Sequence, residues 1–180
     1  MKLSTLIALL ALMLCAGVSH AEAPPDSFAY ILQADSFAKS KSAAVERLRG
    51  CARDWIVLDA AFSGDTHWER AELDAIRSGH AGRKVIAYIS IGEAEDYRPY
   101  WRKEWGSKGR LTAAAPAWLG AENPEWKGNY RVKYWNAEWQ RLMLAAVDDA
   151  MARGFDGVYL DIVDASRRSS RWARSSWTTA

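Results

Sequence analysis

Cysteine is nearly absent: the 180-residue chain has two, Cys15 and Cys51. Histidine is scarce too, with His67 and His80 the two lying in the body of the chain. A lone Cys51 excludes an internal disulfide once Cys15 is removed with a leader, although an oxidising compartment would permit one. It reads as a small buried apolar side chain on a helix. The two histidines have the wrong spacing for a zinc site and no cysteine partners. No metal and no cofactor is expected. Nor is there an excess of one charge, since 24 basic residues face 22 acidic ones. Four of the arginines crowd into residues 166–180, which hold no acid. Without that tail and Lys2, 19 basic residues face 22 acidic ones. The body is slightly acidic, which removes the electrostatic basis for binding nucleic acid.

A long apolar run is also missing. The one from Leu6 to Val18 is shorter than the roughly 20 residues of a membrane span. It follows Met1-Lys2-Leu3 and precedes small residues at Ser19 and Ala21. A basic start, a short apolar core and small residues before the cut describe a secretory signal peptide over residues 1–21. A lipoprotein signal ending at Cys15 would want a small residue where Leu14 stands. The expected location is secreted or periplasmic, with no membrane attachment after cleavage.

What is present is an alternation of apolar strands and amphipathic helices. Residues 22–27, with Pro24 and Pro25, form a short linker. Phe28–Gln33, Trp55–Ala60, Lys84–Ser90, Tyr130–Tyr134 and Gly157–Val163 are the predicted strands. Ala43–Arg49 is a predicted helix stopped by Gly50. A second is opened at Thr66–Glu69 by what reads as a capping box, and stops at Gly79. The best helix is capped by Asn136, carries Trp139, Leu142, Met143, Ala146, Val147, Ala150 and Met151 on one face, and is stopped by Gly154. Residues 92–129, with three prolines, read as a long irregular stretch. The pattern predicts βαβ units and an α/β fold with a buried parallel sheet of five strands. A complete eight-stranded barrel takes about 250 residues.

In parallel α/β folds, sites gather at the carboxyl ends of strands. Acids cluster there. Asp59 ends the second strand; Glu93, Glu95 and Asp96 follow the third; Asp161 and Asp164 end the last. One strand-end Asp is as well explained by a helix cap or an arginine partner. Three strands ending in acids favour a site, because a buried charge without partners is costly. Two carboxyl groups facing a sugar perform glycoside hydrolysis. Six of the ten tryptophans lie between Trp101 and Trp139. Trp139 belongs to the apolar stripe of its helix, whereas Trp118, Trp126 and Trp135 are candidates for stacking on sugar rings. Gly92 after a strand permits a tight turn before Glu93.

Four segments carry a resemblance: Val85–Arg98 (VIAYISIGEAEDYR), Pro116–Pro124 (PAWLGAENP), Tyr130–Gln140 (YRVKYWNAEWQ) and Gly154–Asp164 (GFDGVYLDIVD). In this order they resemble glycoside hydrolase family 114, the endo-α-1,4-polygalactosaminidase-like proteins, from about Tyr30 to Asp164. The resemblance implies a (β/α)8 TIM barrel, export, and cleavage of an α-1,4-linked galactosamine polysaccharide, with Asp161 as one of two catalytic carboxylates. Asp59, Tyr88, Glu93, Trp118, Tyr134, Trp135 and Asp164 are the expected substrate contacts. An acidic cleft suits a cationic amino-sugar polymer as partner.

The expected domain is residues 28–165, an incomplete barrel. The Arg/Ser/Trp-rich residues 166–180 have no strand or helix period and depart from the family. They read as the outcome of a shifted frame or a truncated gene. The expectation is a chain lacking the family's later glutamate, unable to hydrolyse its polymer and poorly soluble because its strand edges lie open. Two other readings compete: a non-catalytic carbohydrate-binding or degenerate barrel, and a different barrel hydrolase that shares the strand-end Asp.

Overall fold

A computed structural model describes residues 24–164. Residues 1–21, part of the linker and the 166–180 tail, on which separate expectations were placed, lie outside the described residues.

The frame is a parallel sheet in the order β1-β2-β5-β11, formed by Phe28–Ile31, Trp55–Asp59, Lys84–Ser90 and Gly157–Asp161. Every strand pairs with the next parallel one in the chain, as in a singly wound barrel. Alternation along the strands assigns the two faces. Ile56, Leu58, Val85 and Ala87 point outward into a core shared with the first helices, and Ile89 into a second core. Val57, Ile86 and Tyr88 point the other way, with Leu32 and Trp55 beside them, and no helix residue joins that cluster among the described residues. A doubly wound sheet would carry helices on both faces, so the helix-free face is the inside of a barrel.

The helices form where the sequence supplies caps and an apolar stripe. After the short α1 (Ala34–Phe37) comes α2 (Lys41–Arg49). Ser40 Oγ accepts the Ala43 N–H at 3.2 Å, and Ala44, Val45 and Leu48 are buried. α3 (Arg70–Arg77) buries Leu73 and Ile76. Its cap is Glu69, whose N–H donates to Glu72 Oε2 at 2.8 Å. The expected cap at Thr66 is corrected: Thr66–His67 is strand β4, paired with β3 (Ala61–Ser63). The chain gains ladder hydrogen bonds there before it can turn helical. Cys51 sits one residue past the α2 C-cap Gly50, partly buried against the first core, rather than on the helix.

α4 (Ala137–Arg153) starts at Asn136, whose side chain accepts the Glu138 N–H at 2.8 Å. It buries Trp139, Met143 and Ala150, and ends at Gly154, whose φ of 105° is left-handed. The Gly154 and Phe155 N–H groups then reach the Met151 and Ala150 carbonyls. A Cβ at Gly154 would also lie 2.9 Å from Arg70 Nη1. Gly154→Ala should therefore cost about 1–2 kcal/mol from the left-handed conformation. A denaturant midpoint unchanged from wild type would contradict this account of the stop.

The stretch 92–129 is not irregular. Glu93–Glu95 (β6), Leu119–Glu122 (β9) and Asn129–Val132 (β10) form an antiparallel sheet in the order β6-β10-β9. A ribbon of Gly106–Ser107 (β7) and Arg110–Leu111 (β8) lies between β6 and β9 in the chain. The parallel sheet consequently has four strands among the described residues, not five. The strand expected at 130–134 pairs antiparallel with β6 instead. An apolar run specifies a buried strand but not its direction, which the returning chain sets. Tyr100, Trp101, Trp105, Trp118, Tyr130 and Trp139 pack this second unit, with ring centroids 4.7–5.6 Å apart.

Candidate active site

β2, β5 and β11 end side by side, with Asp59 registered against Tyr88 and Asp161 against Ser90. Register partners in a parallel sheet face the same side. The barrel-facing side chains at this end are therefore Asp59, Tyr88, Ser90, Tyr159 and Asp161. Tyr88 Oη donates to Asp161 Oδ2 at 2.9 Å. The Ile91 N–H donates to the Asp161 carbonyl at 3.1 Å, continuing the ladder so that the Asp161 backbone is held as strand. Tyr30, on β1, meets Tyr88 and Tyr159 edge-on, with centroids 6.0 and 5.4 Å apart. Burial raises the Tyr88 phenol well above its ordinary range, and Glu95 and Asp161 add to the rise. Tyr30 is pushed up to about 12 by burial first and then by Asp161. Both phenols are neutral donors at any working pH.

Arg98 crosses from the second sheet to the mouth. Its Nη1 lies 2.7 Å from Asp59 Oδ1, and its Nε binds Glu95 Oε2. Tyr97 Oη donates to Glu95 Oε1 at 2.7 Å, and the Glu95 N–H donates to Tyr100 Oη at 2.9 Å. The Arg98 cation is buried, which alone would lower its proton affinity, yet Asp59 and Glu95 raise it above the ordinary value. A cavity of about 450 Å³ opens over these groups. Asp59, Tyr88, Glu95, Tyr97 and Arg98 line its polar end, and Leu142, Met143 and Ala146 of α4 its apolar wall.

The expected site residues divide. Asp161, Tyr88 and Asp59 come together at the mouth. Glu93 does not join them: its carboxylate accepts from Asn123 Nδ2 at 2.8 Å and Asn129 Nδ2 at 3.3 Å inside the second sheet. Trp118 is fully buried between Trp105 and Trp139, so its ring faces have no access to a sugar. The tryptophan-rich stretch is mainly a packing core, with Trp126 and Trp135 its exposed members. Tyr134 and Trp135 form an exposed edge-on pair, 5.0 Å between centroids. Tyr134 borders a second cavity of about 380 Å³ with Ile91, Gly92 and Ile162. Asp164 is exposed, past the end of β11. Glu95, Tyr97, Arg98 and Tyr100 were not picked as contacts. The signal for them was Glu95 and Arg98 at i,i+3 beside two tyrosines, a basic residue set among acids. No group of three or more His, Cys, Asp or Glu side chains forms a metal cage among the described residues.

A model of glycoside-hydrolase family GH114 matches residues 15–176. The chain belongs to GH114. Two curated relatives are uncharacterized proteins. One, from Deinococcus radiodurans, is 45% identical over 113 residues, covering 63% of this chain and 34% of its own. The other, from Methanocaldococcus jannaschii, is 47% identical over 109 residues, covering 61% and 30%. This GH114 chain thus spans about a third of the length of the curated relatives it matches. Among solved structures, Aspergillus fumigatus Ega3 in complex with galactosamine aligns with a TM-score of 0.51 at 23% identity, over 78% of this chain and 44% of that one. A variant of the PelA glycoside hydrolase domain from Pseudomonas aeruginosa aligns at 0.50 and 20% identity, over 84% and 51%. At such identities the likeness concerns the fold, which is that of barrel glycoside hydrolases. It agrees with the helix-free inner face described above.

Proposed function

We propose that this chain forms the catalytic mouth of an exported glycosidase that hydrolyses α-1,4-linked galactosamine polymers, with Asp161 as one of its two carboxylates. The observation that carries the reading is the placement of Asp161: a carboxylate at the carboxyl end of a barrel strand, on the inner face, held by a neutral phenol and in no ion pair among the described residues. Asp59 and Glu95 share Arg98, and Glu93 is held by two amides. Among these four carboxylates, Asp161 is the one whose described side-chain partner is a phenol. Family membership and the galactosamine found with Ega3 support the substrate class. The acidic mouth, with Asp59, Glu95 and Asp161 against one Arg98, suits a polymer whose free amines are cationic. The leader-like residues 1–21 support export.

A binding-only reading has its own support, because the described carboxylates around Asp161 are already engaged, whereas hydrolysis takes two acting groups. Incubating the purified chain with de-N-acetylated α-1,4-galactosamine oligomers separates the two. New reducing ends, formed on this polymer and not on β-1,4-glucosamine oligomers, are the expected result, and they would refute the expectation from residues 166–180 that the chain cannot hydrolyse its polymer. Oligomer binding without new reducing ends, retained in Asp161→Asn, would overturn the hydrolase reading in favour of binding.

A further inference from the structure

We propose that Tyr88 is a positioning residue for Asp161, holding Oδ2 through its phenolic O–H so that Oδ1 is the oxygen presented to the sugar. This rests on the reading of Asp161 as a catalytic carboxylate.

Three features of the geometry carry it. The two residues sit on adjacent parallel strands, and the bond at 2.9 Å runs between one side chain from each. Tyr88 is 7% exposed and its ring belongs to the inner-face cluster with Val57 and Ile86, so the donor has little freedom to swing away. Tyr30 packs edge-on against it from β1. The groups facing this pair from each side are Tyr30 on β1, Tyr159 on β11, and Glu95 on β6, which Arg98 ties to Asp59 on β2. The tyrosines are neutral and Arg98 engages both Glu95 and Asp59. Among the described residues, Tyr88 is consequently the donor that contacts the Asp161 carboxylate directly.

A carboxylate without its donor turns about its Cβ and loses its aim at the sugar, which costs turnover rather than binding. Tyr88→Phe in the full chain, assayed on α-1,4-galactosamine oligomers, should lower kcat about 10- to 100-fold. KM should stay within about twofold, a split that a merely structural role for the retained ring would not cause. A melting curve on the same preparation guards against a folding defect. In the Asp161→Asn background, Tyr88→Phe should have little further effect, because the two residues act as one unit. A kcat within about twofold of wild type in Tyr88→Phe, with the fold intact, overturns the proposal and leaves the catalytic reading of Asp161 standing. If Tyr88→Phe lowers kcat while Asp161→Asn keeps full turnover, the catalytic reading fails, and the positioning role goes with it.

Discussion

Asp161→Asn should lower kcat on an α-1,4-galactosamine oligomer by about 10²–10⁴-fold, the range lost when a positioned acid or base is removed. The substitution keeps the shape of the side chain. An amide oxygen can still accept from Tyr88 Oη, and the backbone bond from Ile91 to the Asp161 carbonyl is untouched. What disappears is the negative charge and the ability to take a proton. The thermal midpoint should therefore stay within a degree or two of wild type, on the order of the shift from a few tenths of a kcal/mol. Initial rates and a melting curve on the same preparation decide it. A rate within a few-fold of wild type, with the fold intact, would move catalysis to another residue.

The largest stability effect is expected at Arg83→Met. Arg83 is 2% exposed and makes no ion pair in the structure described. Instead its guanidinium donates to backbone carbonyls where two helices end. Nη1 reaches the Leu48, Arg49 and Ile76 oxygens at 3.1, 3.2 and 2.6 Å, Nε reaches Arg53 O at 3.0 Å, and Nη2 binds Cys51 O. The last carbonyls of a helix lack partners within it. One rigid fork of donors thus satisfies the ends of α2 and α3 and ties both to the start of β5. Burial lowers the proton affinity of Arg83, but a guanidinium remains charged at any working pH. The Leu48 and Ile76 bonds are buried, and a charged hydrogen bond contributes about 1.5–3 kcal/mol. Arg83→Met, which keeps most of the volume, should destabilise by about 3–5 kcal/mol, a large part of the roughly 5–15 kcal/mol that holds a domain together. Arg83→Lys should recover only part, because an ammonium cannot span carbonyls on two sides. Denaturant titration with an unchanged slope measures the difference. A loss below about 1 kcal/mol would mean that other donors replace the guanidinium.

Arg83 and Arg98 show why part of this protein was not legible in its sequence. Both are single arginines in a chain with many. Their importance comes from partners 30 to 39 residues away, such as Arg53 and Asp59, and no periodicity records such distances. Glu93 and Glu95 pose the same difficulty at short range. They stand two apart on one strand, with Ala94 between them in the core. Their partners separate them: the Asn123 and Asn129 amides for Glu93, and Arg98 at the mouth for Glu95. Trp118 was read as a sugar platform because tryptophans crowd its stretch. That crowding was the signature of a second core, built where β9 and β10 fold back on β6.

Asp161 is the contrasting case. Gly157 to Leu160 form a strand-like run, the Asp stands at its end, and in a parallel sheet that end lies with the other carboxyl ends. The strands, the cap at Asn136, the stop at Gly154 and the α/β class follow likewise from patterns two to four residues long, because they arise from local backbone geometry and alternating burial. Tertiary structure alone decided that the strand expected at 130–134 runs antiparallel, that Arg98 bridges Asp59 and Glu95, and that Tyr88 holds Asp161. These facts depend on which segments meet in space, and only the packing of sheets and helices sets those meetings.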